Sequence, residues 1–176
     1  EDEFEFCFMG YAPICPGFVR TVSDDTCTEA GVGNITVEIT QGPPFWGAPT
    51  NPQVGACSSG TTTRNFGTSD FTVCTASVEV TIVDYTLTPF SGGACGVGEA
   101  NSLYLAIYNN PGGYDPANEC NDIVWSNFDG DLFDLGGRGD VYNVDLGAPG
   151  NFQMAVGNVC DTAQPQSTGP VMLDLN

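Results

Sequence analysis

The chain has 176 residues and 22 acidic residues against three arginines, with no lysine and no histidine, so its formal net charge is −19. We expect one domain over residues 1–176, because this length is typical of a single domain. The missing side chains exclude a lysine Schiff base, a histidine-dependent catalytic pair, histidine-ligated zinc and a P-loop. Three scattered arginines cannot neutralise a phosphate backbone, so nucleic acid is excluded as a partner.

Apolar and polar residues alternate along much of the chain, whereas helical periodicity is nearly absent. Glycine and proline clusters separate the alternating segments. In chain order, strands are predicted at residues 3–9, 18–22, 34–40, 71–74, 77–88, 102–108, 123–125, 141–146, 152–156 and 171–175. Roughly nine or ten short strands predict an all-β fold, an antiparallel sandwich of the jelly-roll or immunoglobulin-like type.

The alternation also assigns side chains to faces. In the strand at 102–108, Leu103, Leu105 and Ile107 are predicted on one side, with Tyr104 and Tyr108 on the other. The same argument places Ile35, Val37 and Ile39 inward in the strand at 34–40, and Val78, Val80 and Ile82 inward in the strand at 77–88.

The cysteines are even in number, dispersed, and contain no CxxC pair, which favours disulfide bonds over a zinc or iron–sulfur site. They are Cys7, Cys15, Cys27, Cys57, Cys74, Cys95, Cys120 and Cys160. Their connectivity stays open. Disulfides persist in oxidising compartments, so we expect an extracellular or cell-surface protein. The opening residues Glu1-Asp2-Glu3 favour a processed chain, and no apolar stretch is long enough to span a membrane.

Two acidic turns are candidate metal sites. Asp129, Asp131 and Asp134 surround a glycine, and calcium prefers hard oxygen ligands of this kind. Asp115, Asn118 and Asp122 form a second oxygen-rich turn. The alternative is that both are solvated turns between strands. Calcium is the predicted cofactor, because it would also neutralise part of the negative charge.

The first predicted strand carries Phe4, Phe6 and Phe8 on one face. An exposed edge strand of this kind aggregates unless it is paired. Two interpretations stay open: the strand pairs within its own sheet, or residues 1–10 act as a donor strand for the next copy of the chain. Repeated head to tail, the second arrangement produces a fibre. If residues 1–9 do not donate, residues 171–175 are the next candidate.

Short motifs add weaker signals. Asn34-Ile35-Thr36 is an N-glycosylation sequon within a predicted strand. Arg138-Gly139-Asp140 spells the integrin-binding tripeptide, but we expect Arg138 to pair with a carboxylate and Asp140 to enter a strand. Trp46 and Trp125 are available for stacking on sugars, although such aromatics usually belong to the core.

The segments Ser102 to Tyr108, Tyr114-Asp-Pro-Ala-Asn-Glu-Cys120, Asn121 to Gly130 and Gly150 to Val156 resemble the second half of bacterial pre-peptidase C-terminal (PPC-type) β-sandwich modules. The resemblance covers about residues 70–176. It implies a secreted, non-catalytic module that often binds calcium, and it favours Asp129 and Asp131 as cation ligands.

Two functions follow from these patterns. The first is a structural or adhesive subunit that polymerises with copies of itself into a pilus-like filament, fibre or surface coat, hardened by disulfides and calcium. The alternative is an accessory module that binds glycans or proteins. An enzyme is not expected, because 22 acidic residues bring carboxylate pairs together by chance and no lysine or histidine can tune them.

Overall fold

The computed structural model describes residues 27–40, 49–58, 65–88, 101–115, 118–129, 135–158 and 168–176. Every regular element within these ranges is a β-strand. The strands are β1 (Gly33–Ile39), β2 (Phe66–Val73), β3 (Ser77–Tyr85), β4 (Asn101–Asn109), β5 (Ile123–Ser126), β6 (Gly136–Gly137), β7 (Val141–Asp145), β8 (Gly150–Asn158) and β9 (Gly169–Leu175). The predicted strands at 3–9 and 18–22 lie outside the described residues.

The other predicted strands are confirmed; most of their boundaries differ from the prediction by at most about two residues, and two differ by more. β2 begins at Phe66 instead of residue 71, because its register with β8 continues from Val73 back to Phe66 although this stretch lacks clear apolar alternation. β3 ends at Tyr85 instead of residue 88. The two-residue strand β6 was not predicted, since two glycines carry no side-chain pattern.

The strands form two antiparallel sheets, ordered β1-β9-β3-β7 and β2-β8-β4-β5, with β6 also paired to β4. Across the chain β1 pairs with β9, β2 with β8, β3 with β7, and β4 with β5. This nested pairing is that of one long hairpin, closed at β4 and β5 and rolled over two sheets. The predicted sandwich is therefore confirmed, and its strand order is that of a jelly roll.

The core lies between the two sheets and contains the inward residues of both. Leu103, Leu105 and Ile107 are fully buried there, whereas Tyr104 and Tyr108 are buried on the opposite face of β4, as the alternation predicts. On that face Leu135, Ala106 and Ala155 complete a second apolar cluster. The sheet that contains β4 is thus covered on both sides.

Two disulfides are described, Cys27–Cys74 and Cys57–Cys120, with S–S distances of 2.05 and 2.10 Å. The first ties the start of the described chain to the turn between β2 and β3. The second ties the 49–58 segment to the residues before β5. The remaining cysteines, Cys7, Cys15, Cys95 and Cys160, lie outside the described residues.

Candidate assembly edge

A sandwich of two sheets exposes its edge strands, and the outer edge of β2 is covered by the residues that precede β1. Ala30 and Thr72 exchange two main-chain hydrogen bonds of 3.2 and 2.7 Å. The Cys27–Cys74 disulfide fixes the same segment beside the end of β2. At the other end of β2, the main-chain N–H of Thr40 donates to the carbonyl of Phe66. The β2 edge is therefore occupied at both ends.

The free side of β1 packs directly against β2, which closes this flank of the sandwich. Gly67 makes the approach feasible, because a Cβ at this position would overlap the carbonyl oxygen of Glu38. β1 thus joins one sheet through β9 and contacts the other through β2.

The outer edge of β5 is covered by the 49–58 segment. The main-chain N–H of Asn51 donates to the carbonyl of Phe128 (2.7 Å), and the hydroxyl of Ser126 donates to the carbonyl of Pro49 (3.1 Å). The side-chain amide of Gln53 donates to the carbonyl of Val124 (3.2 Å). The Cys57–Cys120 disulfide secures the segment covalently.

The β7 edge differs from these three. Ala76 pairs with Leu146 and Ile82 with Asp140 through main-chain hydrogen bonds of 2.8 and 2.9 Å. In an antiparallel ladder hydrogen-bonded pairs alternate with non-bonded pairs, so β7 bonds to β3 through Tyr142 and Val144. The N–H and C=O groups of Val141, Asn143 and Asp145 consequently point away from β3. We call these outward main-chain groups the β7 edge.

Little of the described chain occupies the β7 edge. Within the described ranges, no hydrogen bond is made by the outward groups of Val141 and Asn143, and the Val141 side chain is 50% exposed. The carbonyl of Asp145 accepts from the side-chain amide of Gln53 (2.6 Å), which also reaches Val124 in the other sheet. Gln53 therefore bridges the two sheets at one end of the β7 edge.

Two half-buried apolar side chains, Tyr142 of β7 and Val124 of β5, lie on the side of the sandwich formed by β7 and β5 and pack against the core. Tyr142 contacts Trp125 with ring centroids 5.4 Å apart. Trp125 is only 6% exposed and belongs to the core, so it is not available to stack on a sugar. Trp46 lies outside the described residues. A bare row of backbone groups beside an apolar flank suits an extended peptide.

The first predicted metal turn is only partly described. Asp129 is exposed, whereas Asp131 and Asp134 lie outside the described residues. The adjacent Asn127 has a structural role that the sequence did not reveal: its buried side-chain amide accepts from the N–H of Leu105 (2.9 Å) and donates to the carbonyl of Leu103 (3.0 Å). Calcium binding by this turn stays a prediction.

In the second predicted turn, the N–H of Asn118 donates to the carbonyl of Asp115 (3.1 Å), and the Asp115 carboxylate accepts from the amide of Asn121 (3.5 Å). Asp122 has a positive φ of 57°, and its carboxylate lies against Gly112, where a Cβ would overlap it. Across the described residues, no three cysteine or acidic side chains group as a metal site would require. Ligation by Asp115, Asn118 and Asp122 therefore stays a prediction as well.

Glu119, within this second turn, is a buried carboxylate that the sequence patterns did not single out. It accepts a hydrogen bond from the phenol of Tyr114. Burial raises the pKa of Tyr114 well above its ordinary value, and the charges of Glu119 and Asp115 raise it further. The pair thus fixes the turn against the second apolar cluster, in which Tyr114 contacts Phe66 (4.8 Å between ring centroids).

The tripeptide Arg138-Gly139-Asp140 is a structural turn. Arg138 forms an ion pair with Asp84, donates to the carbonyl of Tyr85 (2.6 Å), and places its guanidinium 4.3 Å from the centre of the Tyr85 ring. The hydrogen bond from Arg138 lowers the pKa of the Asp84 carboxyl. Asp140 accepts from the N–H of Gly137 (2.7 Å) directly before β7. The predicted pairing of Arg138 with a carboxylate is confirmed.

Other predicted residues can now be placed. Asn34 and Thr36 of the sequon are exposed on the outer face of β1, opposite Asp174 and Met172 of β9. Phe4, Phe6 and Phe8 lie outside the described residues. Residues 171–175 belong to β9, which is paired on both sides with β1 and β3, so their use as a donor strand was a wrong prediction.

No protein-family model, curated protein or solved structure matches the chain. Within the described ranges, no helix has the length and apolar character needed to cross a membrane.

Proposed function

We propose that the protein is a non-catalytic extracellular structural subunit that assembles into a filament or surface fibre by β-strand addition, with residues 1–10 as the donor strand. One observation carries this proposal: among the described residues, nothing hydrogen-bonds to the outward main-chain groups of Val141 and Asn143 on the β7 edge, whereas described residues cover the β1, β2 and β5 edges. Main-chain hydrogen bonds supply affinity in this mode of association, and alternate side chains supply specificity.

The strand pairing supports a separate role for the first residues. β1 to β5 and β7 to β9 supply the eight strands of the jelly roll, all from residue 33 onward. We therefore assign the predicted strand at 3–9 to a second copy of the chain in this proposal. Its alternating pattern suits pairing along an edge, and its three phenylalanines match the half-buried Val124 and Tyr142 beside β7.

The position of Cys27 gives further support. Its disulfide holds residue 27 at the turn between β2 and β3, and Ala76 of this turn accepts a hydrogen bond from the N–H of Leu146, directly after β7. Residue 27 therefore lies at the end of the sandwich where β7 terminates. Disulfides suit an oxidising, extracellular environment, and calcium at the acidic turns would reduce repulsion between subunits of charge −19.

The first test is negative-stain electron microscopy with light scattering on the full chain, in calcium and in excess chelator. We expect filaments of the full chain, and we expect a chain without residues 1–9 to remain a folded monomer. Polymers of the truncated chain would show that strand donation from this end is wrong. Monodisperse particles of the full chain under both conditions would contradict the polymer itself.

Asn143→Pro tests the acceptor, because proline removes an outward N–H that β3 does not use. Asn143→Ala is the matched control, since it shortens the same side chain and keeps the N–H. We expect only the proline variant to lose assembly. Equal assembly of the two variants would show that the β7 edge is not the acceptor.

A second candidate function is an accessory module that binds glycans, as the resemblance to PPC-type modules implies. It is favoured by a shallow depression of about 390 Å³, lined by Asp70, Thr72, Asn110 and Asn151 among others. Carboxylate, hydroxyl and amide groups of this kind hydrogen-bond sugar hydroxyls. A glycan screen on the assembly-deficient Asn143→Pro variant separates the two functions.

A further inference from the structure

We infer that Gln53 is a latch over one end of the β7 edge, which confines the incoming strand of a second copy to Val141 and Asn143. The inference deepens the proposed function and rests on it. It assigns a register-limiting role to a residue in the 49–58 segment, far from β7 in the sequence.

The Gln53 side-chain amide hydrogen-bonds to two edge strands, β7 and β5. Its nitrogen lies 2.6 Å from the carbonyl oxygen of Asp145 in β7 and 3.2 Å from that of Val124 in β5. The two N–H groups of the amide thereby satisfy one carbonyl from each sheet. Two further hydrogen bonds hold the Gln53 backbone in place. The main-chain N–H of Gln53 donates to the Asn51 side chain (3.0 Å), and the main-chain N–H of Asn51 donates to the carbonyl of Phe128.

The outward groups of an antiparallel strand recur every second residue, so an incoming strand meets Val141, Asn143 and then Asp145. At Asp145 the main-chain carbonyl already accepts a hydrogen bond from the Gln53 amide. A strand that pairs beyond Asn143 must displace the Gln53 amide, which breaks its bonds to both Asp145 and Val124. The accessible edge therefore ends at Asn143.

A short edge is a means by which proteins limit unspecific strand pairing. Two outward residues provide few main-chain hydrogen bonds, so a strand without suitable side chains gains little by binding. A strand that also places aromatic side chains on Val124 and Tyr142 gains more. The latch thus makes the edge selective for the phenylalanine-bearing segment of a second copy.

The test compares Gln53→Ala with Gln153→Ala in the full chain. Gln153 is a matched control, because its amide also makes two hydrogen bonds, to Asp70 (2.9 Å) and to the N–H of Tyr114 (3.0 Å), on β8 in the other sheet. A second variant, Gln53→Met, keeps the side-chain volume and removes both donors. Unfolding midpoints establish that each variant is folded before assembly is measured.

Both Gln53 variants should assemble at a lower concentration than wild type, although loss of the two hydrogen bonds lowers the stability of the monomer. One additional main-chain bond of about 0.5–1.5 kcal/mol corresponds to a critical concentration lowered about two- to tenfold in both Gln53 variants. Gln153→Ala should not lower it. A purely structural role of Gln53 predicts the opposite, namely assembly that is unchanged or weaker.

Cross-linking identifies the occupant of the edge. The chain has no lysine, so a dihydrazide reagent that joins carboxylates is used on a mixture of isotope-labelled and unlabelled chains. We expect links between Glu3 or Glu5 of one copy and Asp140 or Asp145 of another, with links to Asp145 more frequent in the Gln53 variants.

The outcomes are distinguishable. Filaments whose critical concentration is no lower in the Gln53 variants than in Gln153→Ala overturn the latch and leave the proposed function standing. If cross-links form only within one copy, the strand on the β7 edge does not come from a second copy, and this part of the inference is wrong. Links between the β7 strands of two copies overturn the donor strand. Absence of assembly in every variant overturns the proposed function together with the latch.

Discussion

Asn127→Ala is expected to be the most informative test of the fold around the candidate metal turn. Asn127 follows β5 and is 8% exposed. Its side chain bonds to both Leu105 and Leu103 of β4, and its main-chain N–H donates to the carbonyl of Leu105 (3.1 Å). It thereby fills the gap between β5 and β6, which pair with different parts of β4.

The alanine variant leaves the N–H of Leu105 and the carbonyl of Leu103 without their partner in a buried region. Each group left unsatisfied costs about 1–3 kcal/mol, so the free energy of unfolding should fall by about 2–6 kcal/mol. Urea unfolding followed by tryptophan fluorescence, with the disulfides intact, measures this loss. A loss below about 1 kcal/mol would show that water or a rearranged β4 replaces the amide.

Asn127→Asp separates the two hydrogen bonds by pH. The introduced carboxyl can still accept from Leu105, but when ionised it presents an oxygen to the carbonyl oxygen of Leu103. Burial and the facing carbonyl oxygen of Leu103 raise the folded-state pKa of this carboxyl above the unfolded value of about 3.9. The stability penalty relative to wild type is therefore small below the unfolded pKa and grows as the pH rises through the folded pKa.

The pH comparison uses differences between variant and wild type at each pH, because the remaining carboxylates titrate in both proteins. A penalty that does not change between acidic and neutral pH would contradict the geometry assigned to the Asn127 amide. A penalty that narrows at acidic pH would confirm that its nitrogen donates to Leu103.

Three further predictions concern stability and titration. Replacing Cys57 and Cys120 together by alanine should lower the free energy of unfolding by about 2–4 kcal/mol, measured by urea titration, because the disulfide closes a long loop. The raised pKa of Tyr114 predicts that the free energy of unfolding falls above about pH 10, because only the unfolded phenol ionises there. In ultraviolet titration, Glu119→Gln should have a lower Tyr114 pKa than wild type, and burial should still hold this pKa above that of a free tyrosine. Calcium should raise the thermal unfolding midpoint of wild type more than that of Asp129→Asn, and equal shifts would remove Asp129 from the predicted ligands.

The sandwich could be predicted because its core strands alternate cleanly. In β4 the odd and even positions separate into two buried faces, so Leu105 and Tyr104 were each assigned correctly to one side. β2 was underestimated because Gly67 and Asp70 interrupt its apolar pattern, and its full length depends on pairing with β8. Local periodicity identifies strands that bury one face or both. It does not identify strand segments that form only because they pair with a neighbouring strand, such as the first residues of β2.

The candidate edge could not be predicted in the same way. Whether a strand is central or at an edge depends on pairings between distant segments, and the Gln53 amide contacts residues 71 and 92 positions further along the chain. The role of Asn127 was also hidden, since an asparagine in an acidic turn suggests a ligand before it suggests a bridge to β4. Such positions become visible only when the register is known.

The disulfide between Cys27 and Cys74 has a mechanical consequence. In a fibre joined through the first residues of each subunit, tension enters the sandwich at residue 27 and crosses the sulfur bridge to the turn before β3. The chain between the two cysteines, which includes all of β1 and β2, is bypassed. Pulling then shears β7 from β3 before it extends β1, so the extensibility of such a fibre would be governed by one short ladder of five residue pairs.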